Sequence, residues 1–160
     1  MDELLVALIT VAALGCGLNA GVFFAFSSVV MKALARLHPA QGIAAMQSIN
    51  LVAVTPAFMA ALFGTAAVCV PLAVWALADW DDAFSPHLLV GSACYVLGTI
   101  GLTIAYHVPR NNALARVQPQ GAEAASRWAR YVTEWTRWNH VRAAASFTAA
   151  VFFTLSLRLV

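Results

Sequence analysis

Charge is what this chain has least of. Of its 160 residues only 10% are Asp, Glu, Lys or Arg, and long tracts hold none at all. No charged residue falls in Leu4 to Met31, in Leu37 to Ala78 or in Ala83 to Pro109, and Ala143 to Leu157 is a fourth such run. A soluble domain of this size needs far more charge to coat its surface. The three cysteines, Cys16, Cys69 and Cys94, all lie within apolar runs. Their spacing fits neither a disulfide framework nor a metal site, so they read as small buried hydrophobes. GxGxxG, P-loop, HExxH, CxxC and GxSxG patterns are missing, and no pair of carboxylates lies inside the apolar runs. These absences argue against a hydrolase, a nucleotide-using enzyme and a carboxylate-driven proton pump. The net charge of +2 is too small to suggest nucleic acid.

What the chain does have is hydrocarbon. It is 62% hydrophobic, with mean hydropathy +0.79. About 20 apolar residues in a helix span ~30 Å of bilayer core. The runs therefore predict an all-α, integral membrane, antiparallel four-helix bundle forming a single domain, with spans at about 4–31, 53–77, 86–107 and 139–158. The first run is too long, and its leading residues Asp2 and Glu3 too acidic, for a signal peptide. Lys32 and Arg36 follow the first span, and Arg110, Arg116, Arg127, Arg130 and Arg137 lie between the third and fourth. The loop with Asp79, Asp81 and Asp82 carries no Lys or Arg. The positive-inside rule then makes the basic loops cytoplasmic and puts both termini outside.

Smaller signals refine this picture. Ala13, Gly17, Gly21 and Ala25 recur every four residues, a small-residue stripe that suits close packing inside the bundle and leaves homo-oligomerisation open. Pro39 suits the first turn of a helix, Pro56 is expected to kink the second span, and Pro109 to stop the third. Asn111-Asn112 and Gln118 to Gly121 read as loop. After Gly121 there is no Gly or Pro, so 122–158 is expected as one helix of ~55 Å. Helices two and four thus extend into the cytoplasm.

The costly polar groups gather at one depth. The run Ala143 to Leu157 is only ~22 Å long, too short for the core, so Asn139, His140 and Arg142 are drawn towards the membrane. Trp135, Asn139 and Arg142 share a helix face, and Trp138 is one turn before Arg142. Asn50 and His107 end their own spans on the same side. This constellation offers aromatic surface, amides and a fixed cation to a flat, oxygen-bearing molecule. His107 and His140 are the inward candidates for proton transfer. They are also the pair to which a haem or a metal ion would bind, if one is bound at all.

Four segments carry a family resemblance: Gly21 to Ser27 (GVFFAFS), Met46 to Asn50 (MQSIN), Val108 to Leu114 (VPRNNAL) and Trp135 to Arg142 (WTRWNHVR). On these the chain resembles the anthrone-oxygenase-like membrane proteins along almost its whole length. The resemblance implies an enzyme that oxidises a lipophilic aromatic of anthrone type with dioxygen, without a recognisable cofactor motif. The partners would then be that substrate, dioxygen and the lipid bilayer. On this reading His107 or His140 is the base, and Arg142, Asn139 and Asn50 hold the oxyanion. Trp135, Trp138, Phe23 and Phe26 flank the rings, with Asn111 beside them. Two other readings stay open from the residues alone: a non-enzymatic membrane carrier or complex subunit, and a histidine-ligated haem or metal redox protein.

Overall fold

The computed structural model describes residues 3–160, so Asp2 lies outside the described residues. Every element is helical, with no strand among the described residues. There are five continuous helices: α1 (Glu3–Leu34), α2 (Pro39–Val52), α3 (Pro56–Ala78), α4 (Ser85–Ala115) and α5 (Ala124–Ser156). Of these, α1, α3 and α4 are long and apolar enough to cross a membrane. The chain is therefore an integral membrane protein. The first half of α5 is too polar to join that group, and its apolar half is short.

The fifth helix arises at Pro56, where a kink was expected and a break is found. The residue before a proline is pushed out of the α region by the pyrrolidine ring. Thr55 duly sits at φ −92°, ψ 150°, and its Oγ1 accepts a hydrogen bond from the Phe58 amide, which caps the new helix. Pro109, by contrast, does not stop α4. The turn Thr103–His107 is π-helical, and the Val108 amide donates to Thr103 O. That one-residue shift lets Pro109 stand in the first turn of a fresh α segment, where its missing N–H matters least. Asn111 and Asn112, expected in a loop, are consequently helical. Gln118 to Gly121 does form the turn before α5.

Two cores hold the helices together. The larger, between α1, α3, α4 and α5, is built from Ile9, Cys16, Leu62, Cys69, Leu72, Leu88, Tyr95 and Phe153. The second closes the basic end, where α2 folds over α1 and α5. Met31, Ile43 and Met46 meet Leu114, Trp128, Tyr131 and Trp135 there. Outside the cores the polarity is reversed relative to a soluble protein. Leu14, Leu18, Phe24, Val74, Leu97 and Phe147 are exposed, whereas Ser92, Thr99 and Ser146 are buried. Thr99 and Ser146 bond each other across α4 and α5 at 2.7 Å. Small polar residues inside and large apolar ones outside are what a bilayer solvent selects.

Glycine decides where the helices approach. A Cβ on Gly98 would collide with the Ala145 methyl, so α4 and α5 touch there backbone to side chain. The stripe residues Gly17 and Gly21 do the opposite. Nothing lies within 4 Å of where their Cβ atoms would be, and both are exposed. The expectation that they pack inside the bundle is corrected: the buried face of α1 is carried by Ile9, Ala12, Cys16 and Asn19, and Gly17 and Gly21 lie off it. Gly98→Val should therefore lower the thermal midpoint in detergent, the overpacking costing about 1–3 kcal/mol. Gly17→Val should leave the midpoint within a degree or two of the parent. Equal effects at the two positions would refute this packing.

Candidate functional site

The site is assembled around one side chain. Arg142 comes from the middle of α5, is 7% exposed, and has no carboxylate beside it. The two ion pairs among the described residues are elsewhere: Arg110 with Glu134 is half-exposed, and Arg127 with Glu123 is exposed. The guanidinium is held instead by neutral groups. Its Nη1 donates to Thr103 Oγ1 at 3.0 Å, and its Nε and Nη2 both donate to Asn139 Oδ1, at 3.1 and 2.5 Å. The Phe23 ring lies beneath it, 3.9 Å from the central carbon. A guanidinium has five N–H donors, so these bonds leave part of its donor set free.

Each holder is itself held. The Thr103 hydroxyl gives its proton to Thr99 O at 2.7 Å, which turns its lone pairs towards Arg142. Asn139 is completely buried, and its Nδ2 donates to Phe23 O at 2.7 Å and to Ser27 Oγ at 2.6 Å. Its Oδ1 therefore must face the cation. One amide thus links α1 to Arg142. Both partners on α1 stand at or beside the π-helical turn Phe26–Val30.

A cavity of about 200 Å³ opens beside this cluster. Of the ten residues singled out from the sequence, seven line it: Phe23, Phe26, Asn50, His107, Asn111, Trp135 and Arg142. Met46, Phe58, Met59 and Leu62 complete a largely apolar wall. The break after α2 contributes directly, since Ala53 and Val54 also face the space. A cavity of about 150 Å³ already accepts benzene, so this one has room for an aromatic ring.

His107 is 1% exposed, with Trp135 set edge-on to its ring at a centroid distance of 5.0 Å. Neither ring nitrogen makes a well-formed hydrogen bond, although the Trp138 backbone is close enough to act on the ring electrostatically. Asn50 Nδ2 is likewise buried without a well-formed bond. Buried polar groups without well-formed bonds are costly, and these two side chains line one cavity. Asn111 is fixed differently. Its Oδ1 accepts from Tyr131 Oη at 2.8 Å and from Trp135 Nε1 at 3.0 Å. Burial pushes the ionisation of Tyr131 upward, so the phenol stays a neutral donor. With the oxygen so engaged, the Asn111 amide nitrogen is the group left to donate.

Three of the ten residues stand apart. Asn139 supports the cation from behind and does not line the cavity. Trp138 is 37% exposed and packs on Tyr106 at the edge of the bundle. His140 is exposed and faces the outside of the bundle, not the inside as expected. One residue beyond Asn139 on a helix, it is rotated by about a quarter turn. His107 and His140 line different cavities. Among the described residues no three His, Cys, Asp or Glu side chains cluster as a metal set.

Sequence reasoning did not single out Thr103 or Tyr131. Both had a signal: Thr103 is one turn before His107, and Tyr131 one turn before Trp135, on the faces already chosen. Phe58 had none, because its place depends on the break at Thr55.

Residues 55–152 match the profile of the family described as anthrone oxygenase, more than half of the chain. The chain belongs to the anthrone oxygenase family. No curated protein and no solved structure gives a match. The stretch matched to the anthrone oxygenase family includes Thr103, His107, Asn111, Trp135, Asn139 and Arg142, and leaves Phe23, Phe26 and Asn50 to the part before it.

Asn139→Leu should destabilise the fold more than Thr103→Val. The first strips the cation of two bonds and α1 of its link, and the second removes one charge-assisted bond worth about 1.5–3 kcal/mol. Thermal unfolding of both variants in the same detergent measures the difference. Equal losses would mean that Asn139 is not the principal support.

Proposed function

We propose that this protein is a membrane-embedded oxygenase acting on a lipophilic aromatic whose ring methylene is acidified by a conjugated carbonyl. The observation that carries the reading is Arg142: a buried cation without a carboxylate, at the wall of an aromatic-lined cavity. Such a cation is stabilised by an anion, and family membership in the anthrone oxygenases supports one formed on the substrate.

The chemistry needs three things, and each has a candidate. His107 takes the methylene proton, breaking the C–H bond. The electron pair delocalises onto the carbonyl oxygen, which Arg142 holds with Asn111 and Asn50 near it. The electron-rich carbon then reduces dioxygen and forms a C–O bond, and the peroxide oxygen recovers the proton from His107. Loss of the second methylene proton with O–O cleavage leaves a carbonyl and releases water. The balance is methylene plus dioxygen to carbonyl plus water, and it asks for no cofactor. Phe23, Phe26 and Trp135 keep the site dry, which strengthens each electrostatic term.

The setting we propose is a single four-span domain, with the apolar half of α5 as the fourth span and the helices antiparallel. The exposed Val141, Phe147, Val151 and Leu155 support α5 against lipid. Contacts of Gly91 with Phe153 and of Thr103 with Arg142 support opposite directions for α4 and α5. The loop charges support basic loops in the cytoplasm and both termini outside. A cysteine probe placed in 79–82 should react with an impermeant reagent added outside, and one in 118–121 should not. The reverse pattern overturns the orientation.

Oxygen uptake with an anthrone, and incorporation of labelled dioxygen into the product, test the activity itself. Arg142→Leu should lower the rate by about 10²–10³, the usual worth of an oxyanion donor. His107→Gln should be similarly impaired, whereas His140→Ala should turn over like the parent. Full activity in folded Arg142→Leu and His107→Gln would end the oxygenase reading.

A further inference from the structure

A second cavity lies on the outer side of α5. Lys32, Thr136, Arg137 and His140 line a space of about 250 Å³ between α1 and α5. His140 also begins a longer groove of about 620 Å³, which runs along Gly17, Gly21, Ala143, Ala144 and Ala150. We propose that this continuous surface binds one anionic phospholipid, its phosphate between Lys32, Arg137 and His140 and an acyl chain in the groove.

Four observations carry this. Lys32 and Arg137 have no ion-pair partner among the described residues, and Glu134, the nearest carboxylate along α5, is turned to Arg110 at 3.6 Å. The Thr136 hydroxyl oxygen is shielded from solvent and has no hydrogen-bond partner. Gly17 and Gly21 have open space over them, so their small size serves nothing within the described chain. Finally, the groove has the right length. From His140 to Ala150 α5 rises ~15 Å, which is half of the ~30 Å hydrocarbon thickness and so the depth of one leaflet. Basic clusters at the membrane surface that open into grooves between helices are suited to acidic headgroups.

A second copy of this chain is the competing occupant, because Gly17 and Gly21 form a GxxxG pair. A two-fold symmetric, parallel contact through that pair would bring both Lys32–Arg137 clusters together without an anion between them. The charge pattern therefore favours lipid. This inference rests on α5 crossing the bilayer and not on the oxygenase chemistry.

The test is retention of lipid by the full chain after detergent extraction, read by native mass spectrometry. Phosphatidylglycerol, phosphatidylcholine and inorganic phosphate are offered separately. Phosphatidylglycerol should be retained at one per chain and in clear preference to phosphatidylcholine, and inorganic phosphate should not protect against thermal unfolding. Lys32→Gln with Arg137→Gln should weaken retention on the order of tenfold or more, at about 1 kcal/mol per cation. Gly21→Leu should weaken it with both cations intact, because it fills the groove floor. All these positions are exposed, and an unchanged thermal midpoint without lipid certifies folding. Equal retention of the two lipids, protection by inorganic phosphate, or a dimer that Gly21→Leu converts to monomer while lipid retention is unchanged would each overturn the proposal.

Discussion

The structure depends on keeping one guanidinium out of water. Removing an ion from water costs several kcal/mol even after relaxation, and a partner is normally required. Arg142 meets this cost without a counter-charge, through Asn139, Thr103 and the face of Phe23. Those three come from α5, α4 and α1. The cation thereby ties three helices at one level, and its two hydrogen-bonding supports are locked in turn, Asn139 by Ser27 and Thr103 by Thr99. A carboxylate would neutralise the charge, whereas neutral holders position the cation and leave its charge uncompensated.

The cavity next to Arg142 is made from irregular helix. π-Helical turns occur at Phe26–Val30, Ala60–Gly64, Cys94–Gly101 and Thr103–His107, and each of α1, α3 and α4 contains at least one. A π turn widens the backbone and rotates the residues after it, so a helix can keep its packing at one end and re-aim side chains at the other. His107 closes one such turn. The break between α2 and α3 acts in the same way on a larger scale. By turning the chain at Val54 and Thr55 it places Asn50 and Phe58 on two walls of one space. Straight helices with the same residues would pack more uniformly and leave less room.

Much of this was legible in the sequence because the signals are one-dimensional. Charge-free runs locate apolar helices. The shortness of the run after Arg142 singled this arginine out as a costly residue, and it is buried. The spacing of Trp135, Asn139 and Arg142 put them on one buried face, which is where they are found. The errors have a common origin in local backbone geometry. Pro56 and Pro109 look alike as breakers, yet a preceding π turn carries the helix through one of them and an extended Thr55 breaks it at the other. Direction around a helix was the second difficulty. Choosing both Asn139 and His140 as inward residues asked one face to hold neighbours about 100° apart. The Gly17–Gly21 stripe failed for a related reason, because small residues permit close approach but do not require it.

The two ends of α5 differ strongly, and Arg142 stands at their boundary. The first half carries Arg127, Arg130 and Arg137 towards water, and the second half carries nothing charged between Arg142 and Arg158. Arg142 stands about 21 Å of helix before Ser156, less than a full hydrocarbon thickness. An apolar residue at 142 would avoid the cost of taking an ion out of water. No ion pair among the described residues uses Arg142. What the position does provide is a fixed positive charge at the depth where α2 crosses the bundle end and Trp135 closes the wall. The cation is thus a packing element as well as a charge: Asn139, Thr103 and Ser27 spend their hydrogen-bonding capacity on it and on one another, and no carboxylate neutralises it.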